Sequence, residues 1–338
     1  MRQLFGGLAL AIGLLAAGPP AIAQPGSPLV VTNIADDFLR FWDATKDLST
    51  PERVVLFKRN VASQFPAFYD IKRFGGGMTQ DMQDRKIARA IESFGPIRDA
   101  YAAKLVQFDG DQARATASFI DAFPDFRPET PVYVVHSLGE MDGGTRTLDG
   151  KTVLVFGIDG MVRYHGKDWK SEAQFFHHEL FHVYHEPRLG QCDEMWCALW
   201  EEGLAVYVSS VLNPDADDAE LLLDFPAGTV ATTRAALIPA LESLKDQLTA
   251  KDDNIYAELF QTQAKGPTTL PVRRGYYLGY LVAKELGRTR DLKTLANLPQ
   301  PEAKALVAAT VQKLLDEARA SARQSPSSPV QETVRPSS

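Results

Sequence analysis

The feature that most constrains this chain is the apolar run Phe175-Phe176-His177-His178-Glu179-Leu180-Phe181-His182-Val183-Tyr184-His185. Its large apolar residues predict a helix from about Gln174 to Glu186. Residues four apart share one face of a helix, one turn above the other. His178 and His182 therefore stand together, with Phe176, Leu180 and Val183 roughly opposite. A helix backed by that much apolar surface is buried, with its histidine face towards a cleft. Two imidazoles so placed can share one divalent ion at the ~2.0–2.1 Å that zinc prefers. Glu179 points about 100° away from His178, where it can hold a water next to that ion.

Four of the six histidines in the chain lie in this run, so the ligand choice has to be argued. His177 is adjacent to His178 and turned away from it, which assigns it a structural role or a supporting contact. His185 shares the face, but seven residues carry it roughly 10.5 Å along the axis from His178. The extended pattern HExxHxxGxxH is also broken, because its glycine position holds His185 and its last histidine position holds Arg188. The third ligand must come from another segment. Trp200-Glu201-Glu202-Gly203-Leu204-Ala205-Val206-Tyr207 offers two glutamates. Neighbours on a helix diverge by about 100°, so one of them can bind and the other cannot.

Taken together, His178–His182 and Glu202-Gly203-Leu204-Ala205-Val206-Tyr207 resemble the gluzincin clan of zinc metallopeptidases. In that clan a second helix supplies a glutamate from an E-G-x-A-x-Y type motif, and matching by the glycine makes Glu202 the ligand. The aminopeptidase N spacing, with eighteen intervening residues, would select Glu201 instead. Thermolysin-like members carry an Asp four residues beyond the ligand; Val206 stands there, so the partner that orients a histidine is undetermined. The resemblance covers about residues 130–290, and its specific part is confined to 178–207. It implies an α+β, zincin-like fold, a small β-sheet packed beside a mostly helical body. It also implies one Zn2+ per chain on His178, His182 and Glu202. The expected activity is hydrolysis of peptide bonds by a metal-activated water, with Glu179 as general base. Two histidines, one carboxylate and an open position are a catalytic set rather than a closed structural one.

Three further assignments depend on the same resemblance. Arg273-Arg274-Gly275-Tyr276-Tyr277-Leu278-Gly279-Tyr280 resembles a glycine-tyrosine helix found late in predicted secreted or periplasmic proteases of this clan. It makes Tyr276 the donor to the developing oxyanion, with Arg274 as a carboxylate anchor. A packing stripe of tyrosines is the competing reading, and Tyr277 and Tyr280 are alternatives to Tyr276. Thr152 to Ile158 would be the strand that pairs with extended substrate. Gly139-Glu140-Met141-Asp142-Gly143 falls where aminopeptidase N relatives hold a free amine, but Asp replaces Glu and Gly replaces Asn, so a plain loop is expected.

The rest of the chain sets the context. Arg2, the apolar run Leu8–Ala17 and Ala21-Ile22-Ala23 read as a cleavable signal peptide over residues 1–23, placing the protein in the periplasm or outside the cell. No later run reaches the ~18 apolar residues of a membrane span. A net charge of −7 without Lys/Arg clusters argues against nucleic acid or an anionic membrane as partner; the resemblance implies a peptide or protein substrate. Cys192 and Cys197 are the only cysteines. In an oxidising compartment they are expected to pair, with free thiols or a second metal site as the alternative.

Helical periodicity fills residues 24–123, with a helix start at Ser49-Thr50-Pro51-Glu52, a linker at Gly75-Gly76-Gly77 and a break at Asp109-Gly110. The resemblance makes residues 124–319 the expected zincin-like metallopeptidase domain. There, 131–138 and 151–158 read as a hairpin or meander around the connector Gly139–Gly150. Pro187 is expected to close the first metal helix and Asn213-Pro214 the second. Residues 320–338 read as a disordered tail. Two other functions fit the same residues: a non-catalytic zincin-fold binding or scaffold protein, and a zinc amidase acting on a cell-wall amide. Oligomeric state is not readable.

Overall fold

A computed structural model describes residues 29–127, 129–165 and 171–324. The expected signal segment 1–23 and the tail from residue 325 onwards lie outside these residues. Within them the protein is a mixed structure, many helices and one four-stranded sheet. No described helix is long and apolar enough to cross a membrane.

The chain begins with β1 (Val31–Asn33) and then builds five helices. These are α1 (Ala35–Ala44), α2 (Thr50–Asn60), the single turn α3 (Pro66–Tyr69), α4 (Gln80–Glu92) and α5 (Arg98–Ala122). The helix start at Ser49 is a full capping box: the Ser49 hydroxyl accepts from the backbone of Glu52, and the Glu52 carboxylate accepts from the Ser49 N–H. Phe38 and Phe41 on α1 meet Phe57 of α2, and Phe38 also meets Phe94 and Tyr101 in edge and tilted ring contacts. Asp109-Gly110 does not break α5, contrary to expectation. A helical glycine costs only about 1 kcal/mol. The flanking residues Phe108 and Phe119 are buried against Phe176 and Tyr184 further along the chain.

The sheet corrects the expected hairpin. Strands β2 (Val132–Val135), β3 (Gly143–Leu148) and β4 (Lys151–Gly157) join β1 in the order β1-β2-β4-β3. Strands β2 and β4, the two apolar runs, are parallel neighbours. The antiparallel partner of β4 is β3, which lies inside the Gly139–Gly150 connector. Asp149 and Gly150, both at positive φ (48° and 74°), separate the paired residues Leu148 and Lys151. That is the two-residue turn that tight hairpins favour, and Asp-Gly is its usual sequence.

After the sheet come α6 (Ile158–Tyr164), α7 (Ala173–Leu189) and α8 (Met195–Leu212). They are followed by α9 (Thr229–Ala235), α10 (Leu237–Gln247), α11 (Asp253–Phe260), α12 (Arg274–Leu286), α13 (Leu292–Ala296) and α14 (Gln300–Gln324). Pro187 lies inside α7, in its last turn, and the helix ends instead at Gly190, whose φ is +77°. So close to a helix end the proline removes one backbone bond and no more. Helix α8 closes at Leu212, with Asn213 as the flanking residue, as expected. Helix α14 runs to Gln324, five residues into the segment read as tail. One buried apolar cluster extends from Leu29 to Leu315 and ties the helices before the sheet to those after it.

Candidate metal centre

Helices α7 and α8 pack against each other, and Cys192 of the loop between them is crosslinked to Cys197 in the first turn of α8, with Cα atoms 6.1 Å apart. The backbone N–H groups of Met195 and Trp196, which no α-helical partner can satisfy, bond the carbonyls of Ala250 and Leu248. The start of α8 is thereby anchored to the segment that follows α10 in sequence.

On the facing sides of these helices, His178, His182 and Glu202 converge. The two Nε2 atoms lie 3.0 Å apart, and Glu202 Oε2 is 3.3 Å from one and 3.5 Å from the other. Three donors sharing one tetrahedral ion at ~2.0–2.1 Å stand roughly 3.3 Å from one another. The spacing therefore fits one small divalent cation. Chemistry agrees with geometry: Glu202 Oε2 is buried with no well-directed hydrogen-bond donor. The group can hold a metal ion, and it is Glu202, not Glu201, whose carboxylate joins the imidazoles.

The local electrostatics are those of a site built around positive charge. Burial disfavours a charge on His182, yet Glu202 and Glu179 outweigh it and lift the imidazole to about 10. Burial likewise opposes ionisation of Glu202, but the pull of His182 and His178 holds its carboxyl well below the usual range. His178 is lowered, chiefly by burial. Glu179, one residue along α7, is raised to about 7 by burial. His182 opposes that rise, while Asp142 and Glu202 add to it. Its Oε2 has no hydrogen-bond partner among the described residues. A buried, unpartnered carboxylate beside the ligand pair is available to take up a proton.

The remaining residues of the two motifs sort clearly. His177 is structural: Nε2 faces Ser118 Oγ and the Ala115 carbonyl, and Nδ1 meets Asn213 Nδ2. His185 stacks on Phe181, and burial pushes it down to about 3, so it stays neutral. Glu201 turns to a groove of about 460 Å³ that it shares with Glu186 and Thr152. Val206 is buried with Tyr277, Leu221, Leu223 and Val230, and is no substitute for an acidic partner.

Helix α12 brings Tyr276 to the cluster, its ring centroid 6.4 Å from that of His178. Burial holds its hydroxyl well above the ordinary phenol range, with Glu202 adding to the effect, so it remains a proton donor. Tyr277 instead accepts from Arg234, and Tyr280 from Lys284. Arg274 is not a substrate anchor: it is wholly buried and paired with Glu258 at 2.6 Å. Its neighbour Arg273 lies nearer the site, with its guanidinium carbon 3.9 Å from the centre of the Tyr276 ring. Arg273 has a left-handed backbone (φ 61°) and donates to the Leu222 and Phe225 carbonyls. Sequence periodicity missed it because the left-handed turn before α12 reorients that one side chain.

Tyr276 reaches the ligands because α8 and α12 touch backbone to backbone. A Cβ on Gly203 would collide with the backbone of Gly279, and one on Gly279 would lie 2.5 Å from the Leu199 carbonyl. Gly203→Ala should therefore destabilise the fold by about 1–3 kcal/mol. It should also weaken binding of a divalent ion, because Glu202 is the preceding residue. Denaturant unfolding and metal titration of the variant check this; unchanged values in both would contradict the close crossing.

Strand β4 is not a free edge. It is paired on both sides, by β2 and by β3, so the sheet edge packed near α7 is β3. Arg146 of β3 is close enough for its charge to be felt at Glu179. The Gly139–Gly143 stretch is a loop leading into β3, and its Glu140 is committed to Arg73 and Lys86. No family model, curated protein or solved structure matches this chain.

Proposed function

We infer that this chain is a zinc-dependent peptide hydrolase of zincin-like fold that acts outside the cytoplasm. The observation that carries the reading is the convergence of two imidazoles and one carboxylate within 3.0–3.5 Å beside a buried, unpartnered glutamate. His178, His182 and Glu202 would hold the ion, which when bound supplies Lewis acidity towards a carbonyl and acidifies water. Glu179 takes the proton of the attacking water and returns it to the leaving amine, a task suited to a carboxyl near 7. The Tyr276 hydroxyl donates to the oxygen on which charge develops. Arg273, stacked over that ring, fixes its direction. Extended substrate pairs with the edge of β3, where backbone hydrogen bonds supply affinity and Arg146 faces an acidic substrate group. The disulfide supports an oxidising compartment.

The test is hydrolysis of casein and of a peptide library by the zinc-loaded full chain, with and without a chelator. Chelator-sensitive cleavage is expected, and inertness of a fully loaded protein towards both substrates would leave a metal-stabilised scaffold or an amidase. Tyr276→Phe should lower kcat by about 10²-fold with little change in KM, as removal of one oxyanion donor does. Steady-state kinetics would show it, and an equal loss in Tyr280→Phe but not Tyr276→Phe would move the role along α12.

A further inference from the structure

A cleft of about 670 Å³ opens beyond the carboxyl ends of the parallel neighbours β2 and β4, and none of its lining residues belongs to the metal-ligand group. His136, Leu138 and Gly139 follow β2 directly, and Asp159 and Arg163 sit on α6, which follows β4. This is the position at which sheets with parallel strands bind ligands. His136 is only 3 % exposed, and its Nδ1 accepts a hydrogen bond from the Leu138 N–H at 3.1 Å. The ring hydrogen is therefore on Nε2, where no acceptor among the described residues meets it. Asp159 does not serve: its oxygens accept from Ser137 N, Ser137 Oγ and Gly139 N, and the nearest approach to His136 is 3.7 Å, on the Nδ1 side. Nε2 is not among the enclosed polar atoms that lack a partner, so its N–H is reachable from the cleft that His136 lines and is a donor open to an occupant.

The rim carries the matching charge. Arg89 and Arg163 line the same cleft and form no ion pair or hydrogen bond among the described residues, whereas Lys86 is already held by Glu140. Guanidinium groups suit planar carboxylates, and the two acids on the lining are engaged elsewhere, Asp159 by Ser137 and Gly139 and Glu92 by the Thr50 hydroxyl. Phe94, Ile97 and Leu138 form an apolar wall, which a bare inorganic anion would leave unused. We propose that this cleft is a second ligand site, taking a small organic carboxylate. Its head meets Arg89, Arg163 and the His136 Nε2–H, and its apolar body lies on Phe94, Ile97 and Leu138.

The site does not depend on the hydrolase reading, so it is tested by calorimetry on both the metal-free and the zinc-loaded full chain. Octanoate, octylamine and inorganic phosphate are the probes. One octanoate per chain is expected in both forms, weakened at least tenfold in Arg89→Ala/Arg163→Ala, and no heat from octylamine. Both arginines are exposed, so the double variant should melt with the parent, and circular dichroism checks that. Three results overturn the proposal: no octanoate binding, equal binding by the double variant, or phosphate binding as tightly as octanoate.

Discussion

Glu179→Gln is expected to keep one divalent ion per chain and to lose peptide hydrolysis by about two to four orders of magnitude, the usual share of general acid–base catalysis. Glutamine preserves the volume of the side chain in its buried position on α7, so the two imidazoles and Glu202 stay where they are. What is lost is the acceptor. The Glu179 carboxylate is held by no hydrogen bond at Oε2, and burial keeps it near neutrality, ready to gain and give up a proton. Metal content by elemental analysis and peptide turnover, measured on one sample, separate binding from chemistry. Turnover within a few-fold of the parent would remove Glu179 as base.

Glu202→Ala is expected to do the opposite, abolishing metal retention and hydrolysis together. It takes away one of three donors and leaves two buried imidazoles without the carboxylate that balances an ion between them. The loss of affinity should exceed the roughly 10–100-fold typical of contacts that only orient a ligand. Glu201→Ala is the control one residue away, because that side chain faces the neighbouring groove. It should retain the metal. Equilibrium dialysis of both variants against zinc decides the matter, and a reversed pattern would assign the ligand to Glu201.

Much of this centre was legible in the sequence because helix periodicity converts spacing into geometry. The step of four from His178 to His182 dictated a shared face, and the resemblance, matched at the glycine after Glu202, selected one of two adjacent carboxylates. That glycine carried a second message, visible only in three dimensions: it is where α8 meets α12. The sheet was harder. β3 reads Gly-Gly-Thr-Arg-Thr-Leu, a partly exposed edge with little apolar alternation, so the pattern that reveals half-buried strands is missing. Asp149-Gly150 was the available signal, and it points to a hairpin between 143–148 and 151–157 rather than between the two apolar runs. β1, three residues long, is too short for any periodicity. Arg273 and Arg274 are indistinguishable as text. Their environments separate them, one buried against Glu258 and the other stacked on Tyr276.

The crossing of Gly203 and Gly279 also limits how the cleft can change shape. With main chain against main chain, the acidic ligand and the phenol three residues from Gly279 travel as a single body. Breathing of the cleft would then fall where α7 packs on that body, and widening there would shift the histidines relative to both groups at once. Affinity for the ion and placement of the phenol are mechanically linked, and a substitution that loosens one will disturb the other.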